Sequence, residues 1–223
     1  MIRKYYKIFL VLFLYSGLPA QSISNGTTKY YRILSGNSEI YARVFKEGLA
    51  SAFADNHMIE AADYHGKIIF DKDYPDSSSI KIEINAKTLS ADNPEFRGKY
   101  GLKKLDSDDV KKINEHMLGT DQLDVENYPD IMFEFRNIKQ SGNGKYEVIG
   151  NFSLHGVTHK VNFTAHIDVT GNKLFASGSF KFKQSDYGIE PYSIALGTIK
   201  NKDIMEVVFI ITAVKDQDKT GDQ

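Results

Sequence analysis

The sequence predicts a mainly β fold built from consecutive antiparallel strands, closed into a barrel or stacked as a sandwich. Three observations predict it. Apolar and polar residues alternate with period two along most of the chain, as strands with one buried face require. Tight-turn residues punctuate these runs at short intervals. Only one segment departs to helical spacing, and no linker divides the chain.

In chain order, Arg3, Lys4 and Lys7 precede an apolar run from Ile8 to Leu14 that fades through Gly17, Leu18 and Pro19 to Ala20. This is the layout of a secretory signal peptide over residues 1–20, with cleavage expected after Ala20. The apolar stretch from Ile8 to Leu18 is about half of the roughly 20 residues that a spanning helix needs. No cysteine follows it, so an acylated lipoprotein anchor is not expected. The domain is expected over 21–215, with a frayed polar tail over 216–223.

Early strands are expected at Tyr30 to Leu34, at Ile40 to Phe45 and over one long run from about Met58 to Phe70. Ile80, Ile82 and Ile84 then alternate with Lys81, Glu83 and Asn85. Val110, Ile113, Met117 and Leu118 recur at helical spacing behind Asp106, Ser107, Asp108 and Asp109 and ahead of Gly119, which predicts a capped amphipathic helix suited to close one end of a barrel. Ile131, Phe133 and Phe135 alternate with Met132, Glu134 and Arg136. Tyr146, Val148, Gly150, Phe152 and Leu154 lead into a turn at His155-Gly156, and Val161, Phe163, Ala165, Ile167 and Val169 follow at the same period. A second turn around Gly171-Asn172 precedes Ala176, Gly178, Phe180 and Phe182, and an apolar strand from Ile204 to Val214 ends the pattern. About nine strands result.

Composition narrows the function classes. With 41% hydrophobic residues, 14 Phe and 13 Tyr, the chain is neither disordered nor poor in core material. The formal net charge is -1 and there is no cluster of Lys and Arg interleaved with aromatics, so a nucleic-acid partner is not expected. With no cysteine, the fold rests on its core alone.

Of the six histidines, His155 and His159 are the tightest pair, but a glycine turn separates them and no acidic residue is near in sequence, so a structural turn is favoured over zinc. His57 and His65 need no ligand. Asp55, Asn56 and His57 could be joined with a serine into a hydrolytic constellation, but no nucleophile-elbow motif accompanies them. No phosphate-binding glycine motif occurs. Catalytic residues and metal ligands are therefore not expected. The aromatic residues Phe133, Phe135, Phe152, Phe163, Phe180 and Phe182 fall on faces that could point into one barrel, where they either fill it or line a cavity.

Three stretches resemble the YceI-like, polyisoprenoid-binding family: Asn127-Tyr-Pro-Asp-Ile-Met-Phe-Glu-Phe135, Gly150-Asn-Phe-Ser-Leu-His-Gly-Val-Thr158 and Phe182-Lys-Gln-Ser-Asp-Tyr-Gly-Ile189. The resemblance runs roughly from Ile40 to Val214. It implies an antiparallel, extended lipocalin-like β-barrel with one or two short helices closing an end. It further implies a non-enzymatic protein, periplasmic or secreted, that holds an isoprenoid, quinone or other long apolar chain. No cofactor is implied beyond that ligand, and the oligomeric state is open, a homodimer being allowed. The ligand is expected on the inward faces at Phe133, Phe135, Phe152, Leu154, Phe163, Phe180 and Phe182. The competing reading is an envelope stress or interaction protein with a filled barrel and no ligand. Two departures from the family pattern, the insertion from Asp92 to Thr120 and Lys183-Gln184, are expected near a barrel mouth. Gly48 to His57 has no role assignable from sequence.

Overall fold

The computed structural model describes residues 29–48, 56–194 and 198–216. The expected signal peptide, most of the Gly48 to His57 segment, including Asp55, and all of the expected tail beyond residue 216 lie outside the described residues. Among the described residues thirteen strands form one sheet: β1 (Tyr30–Ile33), β2 (Glu39–Glu47), β3 (His57–Ala61), β4 (Tyr64–Ile69), β5 (Ser79–Asn85), β6 (Leu89–Ala91), β7 (Asp130–Arg136), β8 (Ile138–Gly142), β9 (Lys145–Leu154), β10 (Val157–Thr170), β11 (Lys173–Lys183), β12 (Ser193–Ile194) and β13 (Ile199–Lys215). Helices α1 (Pro94–Lys99) and α2 (Ser107–Leu118) lie between β6 and β7.

Eight of these strands close a ring in the order β1, β4, β5, β7, β9, β10, β11 and β13, with β13 returning to β1 through Tyr31 opposite Lys215. The fold is thus a closed eight-stranded antiparallel barrel. The higher strand count has a simple cause. β1 and β2 both pair β13, while β4 and β3 pair them in turn, and β5 and β6 pair those. Three long strands are each broken by a corner. The expected single run from Met58 to Phe70 is two strands because the chain turns at Ala62 and Asp63. There Asp63 accepts from the Asn85 backbone N–H and donates its own N–H to Thr88 Oγ1, so one corner braces the next.

The turn at His155-Gly156 puts both residues at positive φ, 52° and 73°. A Cβ on Gly156 would also sit 2.8 Å from the Tyr128 ring, so this position needs glycine for conformation and for space. Helix α2 starts where its acidic turn predicts, with the Asp106 carboxylate accepting from the Asp108 N–H and Gly119 following the last turn. β13 is apolar on both sides for two reasons. Ile211 and Ala213 face the interior, while Val208 packs outward beneath α1 with Tyr41, Met58 and Phe96; Ile210 is left exposed.

Candidate apolar cavity

The barrel interior has two unlike halves. The half formed by β1, β4, β5, β8 and the ends of β9 to β13 is packed with Tyr31, Ile33, Ile68, Phe70, Tyr146 and Leu174, among others, all buried. Across the middle lies a layer of rings. Phe163 stacks on Phe180 at 5.4 Å, Phe133 on Phe180 at 6.0 Å, and Phe209 meets Phe163 edge-on at 5.7 Å. Such offset and edge contacts are the favourable geometries for aromatic pairs. Two glycines make the layer fit. A Cβ on Gly150 would stand 2.7 Å from the Phe133 ring, and one on Gly178 would stand 2.7 Å from that of Phe209.

Above this layer is a cavity of about 330 Å³. Its walls include Ile84, Ile131, Phe152, Leu154, Phe182 and Val207. Helix α2 contributes Ile113 and Met117, and the strand β3 contributes His57 and Ile59. The volume is at the lower end of the 300–1,000 Å³ range of small-molecule sites. Among the described residues no acidic side chain lines it. Most of its polar groups lie at the rim, where Lys112 and His116 are exposed and the His116 ring packs on Tyr192 at 4.5 Å.

The wall of this half has a gap. Among the described residues β6 pairs only β3, and β7 pairs β5 and β9, so no strand joins β6 to β7. Helix α2 packs against β6 there. Its Asn114 amide takes the place of a neighbouring strand, accepting from the Ala91 N–H at 2.8 Å and donating to the Ala91 carbonyl at 2.9 Å. Both groups at this point of the strand edge are thereby paired.

On the opposite side of the cavity, the segment resembling the third family motif forms a tight turn at Gln184–Tyr187. Gln184 is buried on the cavity wall and donates to the Lys202 carbonyl. His155 and His159, the pair weighed as metal ligands, instead engage the backbone carbonyls of Tyr187 and Asp186 at 3.1 and 3.0 Å. They clamp this turn, and among the described residues no group of three or more His, Cys, Asp or Glu is placed to hold a metal ion. Tyr187 is sealed beneath them, and burial, with a smaller contribution from Asp186, pushes its phenol up to about 12.

A second buried polar feature was invisible to periodicity. Asp92 and Arg97 are fully buried, with a guanidinium nitrogen 2.6 Å from the Asp92 carboxylate. Arg97 also donates to the carbonyls of Asn56 and Lys103. Asp92, at a φ of 58°, accepts from the Met58 N–H and contacts His57 Nδ1 at 2.6 Å. Burial alone would raise the Asp92 carboxyl. The bonds from His57, Met58 and Arg97 outweigh it and hold the group below the usual carboxylate range.

The seven aromatic and aliphatic residues expected to meet a ligand are divided by height along the barrel. Phe152, Leu154 and Phe182 line the cavity. Phe133, Phe163 and Phe180 do not line it but stack on one another behind that wall, Phe180 meeting the wall residue Phe152 edge-on at 5.2 Å, and Phe135 packs into the filled half. The insertion from Asp92 to Thr120 carries the helix that lines the cavity, and Gln184 lines its far wall.

The sequence profile of the YceI-like domain matches residues 31–213. The chain belongs to the YceI-like family. A UPF0312 protein of Azotobacter vinelandii is 28% identical over 134 residues, which cover 57% of this chain and 61% of that protein. One from Pseudomonas putida is 27% identical over 109 residues, covering 49% and 48%. The chain thus spans about half to three fifths of the length of the curated relatives it matches. Among solved structures, Burkholderia cenocepacia BcnA shares the fold with a TM-score of 0.63 at 16% identity, covering 82% of this chain and 99% of that one. The Campylobacter jejuni YCEI protein follows at 0.51 and 18%, covering 71% and 84%. Among the described residues no helix is long and apolar enough to cross a membrane.

Proposed function

We propose that this YceI-like protein is exported and holds one apolar molecule, an isoprenoid, a quinone or a similar chain, in the upper half of its barrel. It binds and does not catalyse. The observation that carries this reading is the cavity of about 330 Å³, walled by aliphatic and aromatic side chains, with a layer of stacked rings behind that wall and a lower half filled by a buried apolar cluster. Each methylene moved from water into such a site contributes about 0.8 kcal/mol. Contacts made by many ordinary side chains therefore add up to useful affinity. The competing reading, a filled barrel acting through its surface, requires packing that the upper half lacks. The basic and apolar N-terminal segment supports export to the periplasm or beyond.

With stacked rings across the middle of the barrel, the ligand enters the upper half only, and a very long chain leaves its remainder outside. Two measurements test the proposal. Organic extraction of protein from its native envelope, read by mass spectrometry, is expected to return a lipid. Added farnesol at about 100 times its Kd is expected to stabilise the fold by about 2.7 kcal/mol, which for a domain of this size is roughly 5–11 °C in Tm. Repeated extraction without lipid, together with an unmoved Tm, refutes it.

A further inference from the structure

We infer that His57 is a positioning residue that accepts a hydrogen bond from a hydroxyl group on the cavity's ligand, so that the site selects an apolar alcohol over its hydroxyl-free counterpart. The inference rests on the cavity being a ligand site.

Four observations carry it. The His57 ring belongs to the cavity wall, on the inward face of β3 beside Val44 of β2. It is half-buried, on a wall whose residues are mostly apolar. Its Nδ1 is fixed by Asp92, and Asp92 is fixed by Arg97 and the Met58 N–H. An ionised carboxylate can only accept, so in the neutral ring the proton resides on Nδ1 and Nε2 carries the lone pair. Among the described residues, none bonds Nε2. A lone pair held at the edge of an apolar cavity is satisfied by a donor that arrives with the guest, and a hydroxyl is the smallest such group on a lipid. Ethers and hydrocarbons of the same length cannot donate.

The backing is unusually costly for a purely structural histidine. A carboxylate and a guanidinium are both taken out of water behind one ring, and the ion pair holds the ring's tautomer and direction as a second layer holds the ligands of a designed site. Glu60 and Met58, the β3 neighbours that face outward, do not offer the cavity a competing acceptor. Gln184, a buried polar side chain on the wall, already donates to the Lys202 carbonyl, and the half-buried Gln122 amide donates to the Glu190 carbonyl.

The test compares farnesol with farnesyl methyl ether at pH 8, in the wild type and in His57→Phe. The wild type is expected to bind the alcohol roughly three- to tenfold more tightly, the range of one net hydrogen bond, and His57→Phe to bind both alike. In parallel, the Nε2 resonance of ¹⁵N-histidine-labelled wild type is expected to shift with the alcohol and not with the ether. This second measurement stands even if the variant does not fold. Equal wild-type affinities, a preference that survives His57→Phe, or an Nε2 resonance indifferent to the alcohol overturns the inference while leaving the cavity reading intact. Binding of neither compound overturns the cavity reading and this inference with it.

Discussion

Replacing Arg97 by Met should expose how much the buried charge cluster behind His57 contributes, and with a definite pH signature. The substitution keeps most of the apolar stem but removes the guanidinium that lies 2.6 Å from Asp92 and binds the Asn56 and Lys103 carbonyls. Asp92 is fully buried and keeps only His57 and the Met58 N–H. Breaking a buried pair from one side costs about 3–5 kcal/mol because it leaves the other charge uncompensated. For a domain of this size that is a fall of roughly 6–20 °C in Tm.

The pH dependence follows from the Asp92 carboxyl. In the wild type it is held below its ordinary value near 3.9. Its stabilising contribution is therefore complete above that ordinary value and is lost as pH falls through the lower folded value. In Arg97→Met burial is opposed by less, the carboxyl rises, and protonation relieves the stranded charge. The difference in Tm between wild type and variant should shrink as pH is lowered from 7 to 4. Circular dichroism melts at a series of pH values read this directly. A loss under about 1 kcal/mol at pH 7, or a difference unchanged at pH 4, would refute the assignment of Asp92 and Arg97 as a mutually dependent buried pair.

Two further substitutions, the first with a control, probe the packing of the barrel. Gly150→Ala brings a methyl to 2.7 Å from the Phe133 ring and 2.9 Å from the Glu134 carbonyl, so it should cost about 1–3 kcal/mol by overpacking, whereas Gly36→Ala, with nothing within 4 Å, should change stability by under about 0.5 kcal/mol; chemical denaturation compares them. Asn114→Ala removes both bonds to Ala91 and should cost about 1–3 kcal/mol. Hydrogen exchange should quicken at the Ala91 amide and stay unchanged at Ile82, inside the closed part of the barrel.

Local order was legible in the sequence because it is written locally. The period-two face of β5 and β7, the turn at His155-Gly156 and the capped start of α2 each depend on residues within a few positions of one another. The corners were not legible. Ala62 and Asp63 interrupt no hydrophobic pattern, and the bonds that bend the chain there come from Asn85 and Thr88. Alternation likewise predicted which side chains turn inward, yet it carries no information about depth. Phe135 and Phe182 share that inward direction, but one packs into the filled half and the other lines the cavity. The cluster of His57, Asp92 and Arg97 escaped altogether, because 35 residues separate His57 from Asp92 and neither lies on a recognisable motif.

Strand β13 gives the barrel a late birth. It is the one strand that touches β11 on one side and both β1 and β2 on the other, and the bond from Ser38 to Thr212 closes a loop of 174 residues. Loop closure on that scale is a slow, entropically costly step that local contacts cannot shorten. Because β13 also supplies Met205 and Val207 to the cavity wall, that wall stays incomplete until β13 is in place. Closure of the barrel and completion of the cavity then depend on one and the same strand.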